Sequence, residues 1–103
     1  MTKFRTYQLA KALLLKSESL ALKNPYRDQF KRAMLSISLN LAEGSSKTSN
    51  ADRRRFYEIA LGSLREIQAL IDILDLKDLH NDADILGAHI YKLVKNLSLS
   101  LNH

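Results

Sequence analysis

Two amphipathic helical segments that meet at a Gly/Ser-rich turn constrain the fold of this chain more than any other feature. The segments cover residues 27–43 and 53–66, and in both of them apolar residues recur at steps of three and four. The turn at residues 44–49 contains no apolar residue. Because a short connection returns the chain alongside the helix it has just left, the two segments predict an antiparallel helix pair.

The rest of the chain has the same helical character. Periodicity, caps and breakers predict four helices, at residues 4–22, 25–43, 50–76 and 82–98. Asn24 has the position of an N-cap before Pro25, and Gly44 that of a left-handed C-cap glycine. Ser49 and Asp52 have the spacing of a capping box. We therefore expect an all-α, up-down-up-down four-helix bundle that forms a single domain over residues 1–103.

The second and third predicted helices carry apolar residues on more than one side. These additional residues are Leu35, Leu39 and Ala42 in the second helix and Ile59, Leu64, Ile71 and Ile73 in the third. A helix that is apolar on more than one side packs against more than one neighbour. The pattern predicts that the protein assembles into a homo-oligomer.

The composition excludes several classes of protein. Apolar residues make up 46% of the chain and charged residues 26%, which is typical of a folded domain and not of a disordered one. Cysteine is absent, so the chain has no disulfide, no thiolate nucleophile and no cysteine-ligated zinc. No apolar run approaches the roughly 20 residues that span a bilayer, and the N-terminus lacks a signal-peptide core. We expect a cytoplasmic protein with no membrane partner.

No residue pattern indicates an enzyme. Di-iron enzymes built on helical bundles use Glu-x-x-His motifs, and none of the glutamates here is followed three residues later by histidine. His80, His89 and His103 also lack the spacing of a zinc site on a helix. The turn that begins at Gly44 follows a helix and not a strand, so it does not match a phosphate-binding glycine loop. We expect no catalytic residues, no metal and no cofactor.

Basic residues are concentrated in the first half of the chain, which carries, through Arg55, 12 of the 16 Lys and Arg but four of the 11 Asp and Glu. Three consecutive arginines begin the third predicted helix, where positive charge opposes the helix dipole. The guanidinium fork suits phosphate, so this end of the bundle is a candidate RNA or DNA site. Its predicted residues are Lys3, Arg5, Lys47, Arg53, Arg54 and Arg55. The alternative is that these arginines pair with Asp52, with Glu58 or with a neighbouring subunit.

Other polar residues leave two interpretations open. Asn40, Glu43 and Gly44 lie near the turn, either as a polar site or as a structural motif in which Asn40 bonds a backbone group and Glu43 pairs with an arginine. The tyrosines either stack on unpaired bases or pack with a wet hydroxyl; they are Tyr7, Tyr26, Tyr57 and Tyr91. A second basic set near the other end is interpreted as a solvated face; it consists of Lys16, Lys23, Arg27, Lys31 and Arg32.

Two stretches in fixed order and spacing, Ser36–Gly44 and Arg55–Ser63, resemble the small four-helix bundle family encoded in intervening sequences of bacterial 23S ribosomal RNA genes. The accessory variability determinant proteins of diversity-generating retroelements are similar to that family. The resemblance implies a ring-like homopentamer without catalytic residues. For the retroelement relatives it implies a basic surface that binds nucleic acid and a reverse transcriptase.

Two functions are therefore expected. The first is a non-enzymatic oligomeric bundle that binds RNA or DNA through its arginine-rich surface, as an accessory to an rRNA intervening-sequence or retroelement system. The second is a protein–protein interaction scaffold that does not bind nucleic acid.

Overall fold

Four α-helices make up the computed structural model, which describes the backbone of residues 2–101 and the side chains of residues 4–99. They are α1 (Thr2–Glu18), α2 (Tyr26–Ser46), α3 (Asn50–Ile73) and α4 (Lys77–Leu101). No strand occurs within the described backbone. The predicted all-α fold with four helices is confirmed.

Each helix packs against two others. Among the described residues α2 packs against α1 and α3, and α4 against α3 and α1, while no two Cα atoms of the diagonal pairs lie within 8 Å of each other. Lys16 near the end of α1 forms an ion pair of 3.1 Å with Asp82 near the start of α4. Ser45 near the end of α2 shares a hydrogen bond of 3.1 Å with Tyr57 near the start of α3. Successive helices therefore run in opposite directions, in a body of 46 × 21 × 20 Å.

The core consists of one apolar stripe from each helix. Leu13, Ile37, Leu64 and Leu86 are representative, and all are at most 2% exposed. Burial of this kind stabilises the fold by about 1.5–3 kcal/mol for each large side chain. None of the described helices is both long enough and apolar enough to cross a bilayer.

The first connection is longer than predicted, because α1 ends at Glu18 and not at Leu22. The hydroxyls of Ser17 and Ser19 donate to carbonyls three residues earlier, at 2.7 and 2.8 Å. The amide of Leu20 also donates to the Ser17 carbonyl at 3.1 Å, a tighter turn than the α-helical one. Local bonding of this kind competes with the helical ladder and ends it.

The predicted N-cap of α2 is also wrong. Pro25 has the cap position, with helical φ and ψ of −84° and −2°, and no side chain caps the helix. The turn starts one step earlier, since the amide of Arg27 donates to the Lys23 carbonyl at 3.0 Å. Asn24 is therefore already inside this turn and not before it.

Gly44 does not end α2, contrary to the prediction of a left-handed C-cap. The helix continues to Ser46, and no described glycine has a positive φ. Gly44 is buried, and a Cβ built on it would lie 2.7 Å from Cε1 of Tyr57. Glycine is required here because α3 approaches α2 closely, so its role is packing and not turning.

The boundaries of α3 show one correct prediction and one error. Ser49 is the N-cap, and its hydroxyl accepts from the Asp52 amide at 3.1 Å, as in half of a capping box. The helix ends at Ile73 and not at Leu76, because Asp75 adopts a left-handed φ of 56°. The amide of Leu76 donates to the Ile71 carbonyl at 2.9 Å, and that of Asp75 to the Asp72 carbonyl at 3.3 Å. This is a Schellman motif with aspartate in the position usually held by glycine, and it lets α4 begin at Lys77 instead of residue 82.

Candidate nucleic-acid interface

Arg53, the first of the three arginines, is bound to the connection between α2 and α3. Its Nε donates to the Lys47 carbonyl at 2.8 Å, and its Nη1 donates to Oδ1 of Asn50 at 3.2 Å. The side chain is half-buried. Since hydrogen bonds of a charged donor contribute about 1.5–3 kcal/mol, Arg53 stabilises this connection and has less freedom to bind a ligand.

Arg54 and Arg55 have different surroundings. Arg54 forms an ion pair of 3.6 Å with Glu58 one turn later. Arg55 is exposed, forms no ion pair with a described residue, and has its guanidinium 5.0 Å from the centroid of the Phe56 ring. The ammonium of Lys47 lies 5.2 Å from the same ring. Phe56 is therefore flanked by two cations, an arrangement that is favourable for both.

Replacing Arg53 is expected to cost stability, whereas replacing Arg55 is not. Arg53→Ala removes two hydrogen bonds from the α2–α3 connection, and we expect the free energy of unfolding to fall by about 2 kcal/mol. Arg55→Ala removes an exposed side chain, and we expect a change within about 0.5 kcal/mol. Urea unfolding followed by circular dichroism measures both. Equal losses for the two variants would contradict the assignment.

The second half of α4 returns to the end of the bundle at which α3 begins. Lys95 lies about five turns after the start of α4 at Lys77, and Arg55 lies about five turns before the end of α3 at Ile73. At about 1.5 Å per residue, both are about 27 Å from the connection between the helices. Lys95 is not among the residues that the sequence predicts for the site.

The Lys16–Asp82 ion pair shows which residues of α1 and α4 lie at the same level along the bundle. Arg5 lies about three turns before Lys16, and Lys92 lies about three turns after Asp82, so Arg5 and Lys92 are at the same level of the bundle. The side chains of Arg5, Lys92 and Lys95 are all exposed, and none of them forms an ion pair with a described residue. All four helices or their connections thus contribute to one basic end, formed by Arg5, Lys47, Arg54, Arg55, Lys92 and Lys95.

Lys3, also predicted for the site, belongs to α1, but its side chain lies outside the described side chains. Acidic residues are concentrated towards the opposite end, where α3 ends and α4 begins. They are Asp72, Asp75, Asp78, Asp82 and Asp84. The same end also carries Lys16, Lys23, Arg27, Lys31, Arg32 and Lys77, so its charges nearly balance and the excess positive charge lies at the basic end. The described residues contain no group of His, Asp and Glu suited to hold a metal ion.

The predicted motif of Asn40, Glu43 and Gly44 belongs to the contact between α2 and α3. Nδ2 of Asn40 donates to the Ser36 carbonyl at 2.8 Å, so it has the expected backbone partner. Glu43 pairs with Lys47 at 3.6 Å and not with an arginine. The Ser36 hydroxyl in turn shares a bond of 2.7 Å with Ser63 of α3. These bonds, together with the buried Gly44, attach the second helix to the third.

The four tyrosines differ in their exposure. Tyr57 is 1% exposed and packs in the core with its hydroxyl on Ser45. Tyr7 is half-buried, while Tyr26 and Tyr91 are about half exposed. Phe56, which lies between the cations of Lys47 and Arg55, is also at the basic end.

The model of the family described as 23S rRNA-intervening sequence protein matches residues 3–103. The chain belongs to this family. Neither a curated protein nor a solved structure matches it.

This intervening-sequence family protein also exposes an apolar face on α2 and α3. The α2 row is Asp28, Arg32, Leu35, Leu39, Ala42 and Ser46, and the α3 row is Arg55, Ile59, Gly62, Glu66, Ala69 and Ile73. Each row alternates steps of four and three, which is the heptad repeat of helices that pack side by side. Arg32 and Glu66, one from each row, pair at 2.9 Å, so the rows are adjacent.

The two rows together form a surface that we call the outer face. Its large apolar side chains are well exposed to solvent. Leu39 is 66% exposed, Ile59 46% and Ile73 72%. Leu64 and Ile71, which the sequence also placed outside the main repeat, are buried in the core instead. Leu35 and Leu39 line a groove of about 570 Å³ on the same face. An exposed apolar patch with a heptad spacing is typical of a helix–helix interface.

Proposed function

We propose that this member of the intervening-sequence family is a non-enzymatic, homo-oligomeric helical bundle that binds the phosphate backbone of RNA or DNA through its basic end. The observation that carries the proposal is the gathering of cations from all four helices or their connections at one end of the bundle. Of these, Arg5, Arg55, Lys92 and Lys95 have no ion pair among the described residues. Cations without internal partners are free to neutralise phosphates.

The energetics of the site favour a polyanion over a single small anion. The cross-section of the body is about 21 by 20 Å, so the basic end presents its charges over a surface and not in a pocket. Each phosphate that is neutralised releases condensed counterions, and several such contacts give a salt-dependent affinity without sequence specificity. Arg55 adds a planar donor fork, which suits phosphate oxygens.

The cellular role we propose follows from the family and from the resemblance described above. The protein serves as an accessory to an rRNA intervening-sequence system or to a retroelement with a reverse transcriptase, and assembles as a ring-like homopentamer in the cytoplasm. The outer apolar face of α2 and α3 supports self-assembly.

Fluorescence anisotropy with a labelled RNA of about 20 nucleotides, across a salt series, tests the nucleic-acid proposal. We expect the triple variant Arg55→Gln/Lys92→Gln/Lys95→Gln to bind at least tenfold more weakly at about 50 mM salt. The slope of log K against log salt is expected to fall in magnitude by about two to three, close to one for each lost phosphate contact. Arg53 is left in place because its loss would disturb the α2–α3 connection.

A matched control changes the same net charge at the other end. The triple variant Lys23→Gln/Lys31→Gln/Lys77→Gln also removes three positive charges, and it is expected to keep most of the affinity and slope. If both triple variants lose affinity equally, net charge and not the basic end is responsible. If the wild type does not bind RNA or single-stranded DNA at low salt, the proposal is wrong.

The outer apolar face also favours a second candidate function, a protein–protein interaction scaffold. In that case the face of α2 and α3 serves self-assembly and a partner protein, and the basic end contacts acidic protein surface. A partner that is retained after nuclease treatment, together with absence of RNA binding, would favour the scaffold.

A further inference from the structure

A cavity of about 320 Å³ lies between the end of α1, the connection at residues 19–25 and the start of α2. Its apolar lining comes from Leu14, Leu20, Leu22 and Phe30. Phe30 is 2% exposed and forms part of the core, and the three leucines are half-buried. Leu20 and Leu22 belong to the connection and not to the helix, because α1 ends at Glu18. The early end of the helix therefore provides one wall of the cavity.

Three charged side chains line the same cavity: Glu18, Arg27 and Lys31. Lys31 and Glu18 form no ion pair with a described residue, and the ion pair of Arg27 is with the adjacent Asp28 at 3.9 Å. Arg27 also donates to the side-chain oxygen of Asn24 at 3.1 Å, in the amide orientation that satisfies both groups. Two cations against one carboxylate give the cavity lining a net positive charge.

We propose that this cavity binds a small anionic amphiphile, a carboxylate with a short hydrocarbon chain. The volume equals roughly ten water molecules at about 30 Å³ each, which leaves room for such a chain and is within the range of ligand sites. The chain lies on the leucines and Phe30, while the carboxylate lies between Arg27 and Lys31. Apolar lining with a few converging charged groups is the usual composition of a small-molecule site.

The site is independent of the proposed nucleic-acid function. It is formed by the end of α1 and the start of α2, whereas the basic end is formed by the start of α1, the α2–α3 connection, the start of α3 and the second half of α4. Loss of one activity is therefore not expected to remove the other.

Titration of isotope-labelled protein with octanoate, followed by nuclear magnetic resonance, tests the proposal. We expect shifts of the amide signals of Leu20, Leu22 and Phe30, with a dissociation constant of about 1 mM or below. Octylammonium, which has the same chain length and the opposite charge, is expected to bind at least tenfold more weakly. Absence of octanoate binding at about 10 mM, or equal binding of octylammonium, would overturn the proposal.

Charge variants of the lining give effects of opposite sign. Arg27→Gln/Lys31→Gln is expected to weaken octanoate binding at least tenfold, whereas Glu18→Gln is expected to strengthen it about threefold because it removes the opposing carboxylate. Arg65→Gln/Lys77→Gln removes the same number of positive charges from residues that neither line the cavity nor belong to the basic end, and it is expected to change binding less than twofold. Equal binding by the lining double variant and the wild type would contradict the assignment.

A second experiment distinguishes binding of a free amphiphile from binding of a lipid surface. Vesicles of phosphatidylglycerol are mixed with the protein and sedimented. Binding of vesicles without binding of free octanoate would overturn the cavity assignment, since a bilayer surface does not enter a cavity of this size.

Discussion

Alanine at Gly44 is expected to lower the free energy of unfolding by about 2 kcal/mol, although alanine is the better helix former by about 1 kcal/mol. The added Cβ would lie 2.7 and 2.9 Å from two ring carbons of Tyr57 and 3.2 Å from Cβ of Phe56. The Tyr57 ring cannot move aside easily, because it is 1% exposed and its hydroxyl is bonded to Ser45. Urea unfolding measures the change.

Gly62 provides the matched control in the neighbouring helix. A Cβ on Gly62 meets nothing within 4 Å, and the residue is exposed. We expect Gly62→Ala to raise the free energy of unfolding by about 1 kcal/mol in dilute protein whose copies are not associated through the outer face, since only the helix preference changes in the single chain. The two variants are compared at equal protein concentration. If Gly44→Ala is as stable as Gly62→Ala, the close approach of α2 and α3 does not require glycine at position 44.

Glutamate at Leu39 and Ile59 is expected to convert the proposed homo-oligomer into monomers of 11.7 kDa. Both side chains belong to the outer face, where self-assembly would bury them, and each buried side chain of this kind contributes about 1.5–3 kcal/mol. The double variant loses both apolar contacts and places carboxylates in an apolar interface. We expect the dissociation constant of each interface to rise by roughly a thousandfold or more. Analytical ultracentrifugation at micromolar concentration measures the masses.

A control for the assembly experiment is Leu15→Glu on α1. Leu15 is 57% exposed, which is between Leu39 at 66% and Ile59 at 46%, but it lies outside the outer face of α2 and α3. We expect this variant to keep the mass of the wild-type assembly. A monomeric wild type would contradict the proposal of self-assembly, and dissociation by Leu15→Glu would move the interface to another face.

The fold could be predicted from the sequence because its four amphipathic segments are long and clearly separated from one another. The ends of the helices could not be predicted to the same degree. Gly44 looked like a C-cap because it preceded a polar loop, and only the position of the Tyr57 ring shows that it is needed for packing. The Schellman motif at Asp75 was missed because glycine is the usual residue there, and aspartate gave no signal for a left-handed φ.

Errors at the helix ends also explain what was missed in the candidate site. At about 1.5 Å per residue, the predicted start at residue 82 places Lys95 only about 20 Å into the fourth helix. The predicted end at residue 76 places Arg55 about 32 Å before the end of the third helix. The two side chains then differ by about 12 Å along the bundle, so they are not placed together. The role of Arg53 depends on a hydrogen bond to a backbone carbonyl, which a pattern of charges does not show.

The separation of charge along the bundle has a consequence for any ring made of this chain. Copies in a cyclic ring are related by rotation about a single axis, so the components of their electric dipoles along that axis add, and the perpendicular components cancel. A tilt of the protomers that leaves an axial component gives the ring one side that is more positive than the other. Under the proposed function, such a ring meets a polyanion with its more positive side, and several copies contact the strand together, which converts a weak single contact into a strong multivalent one.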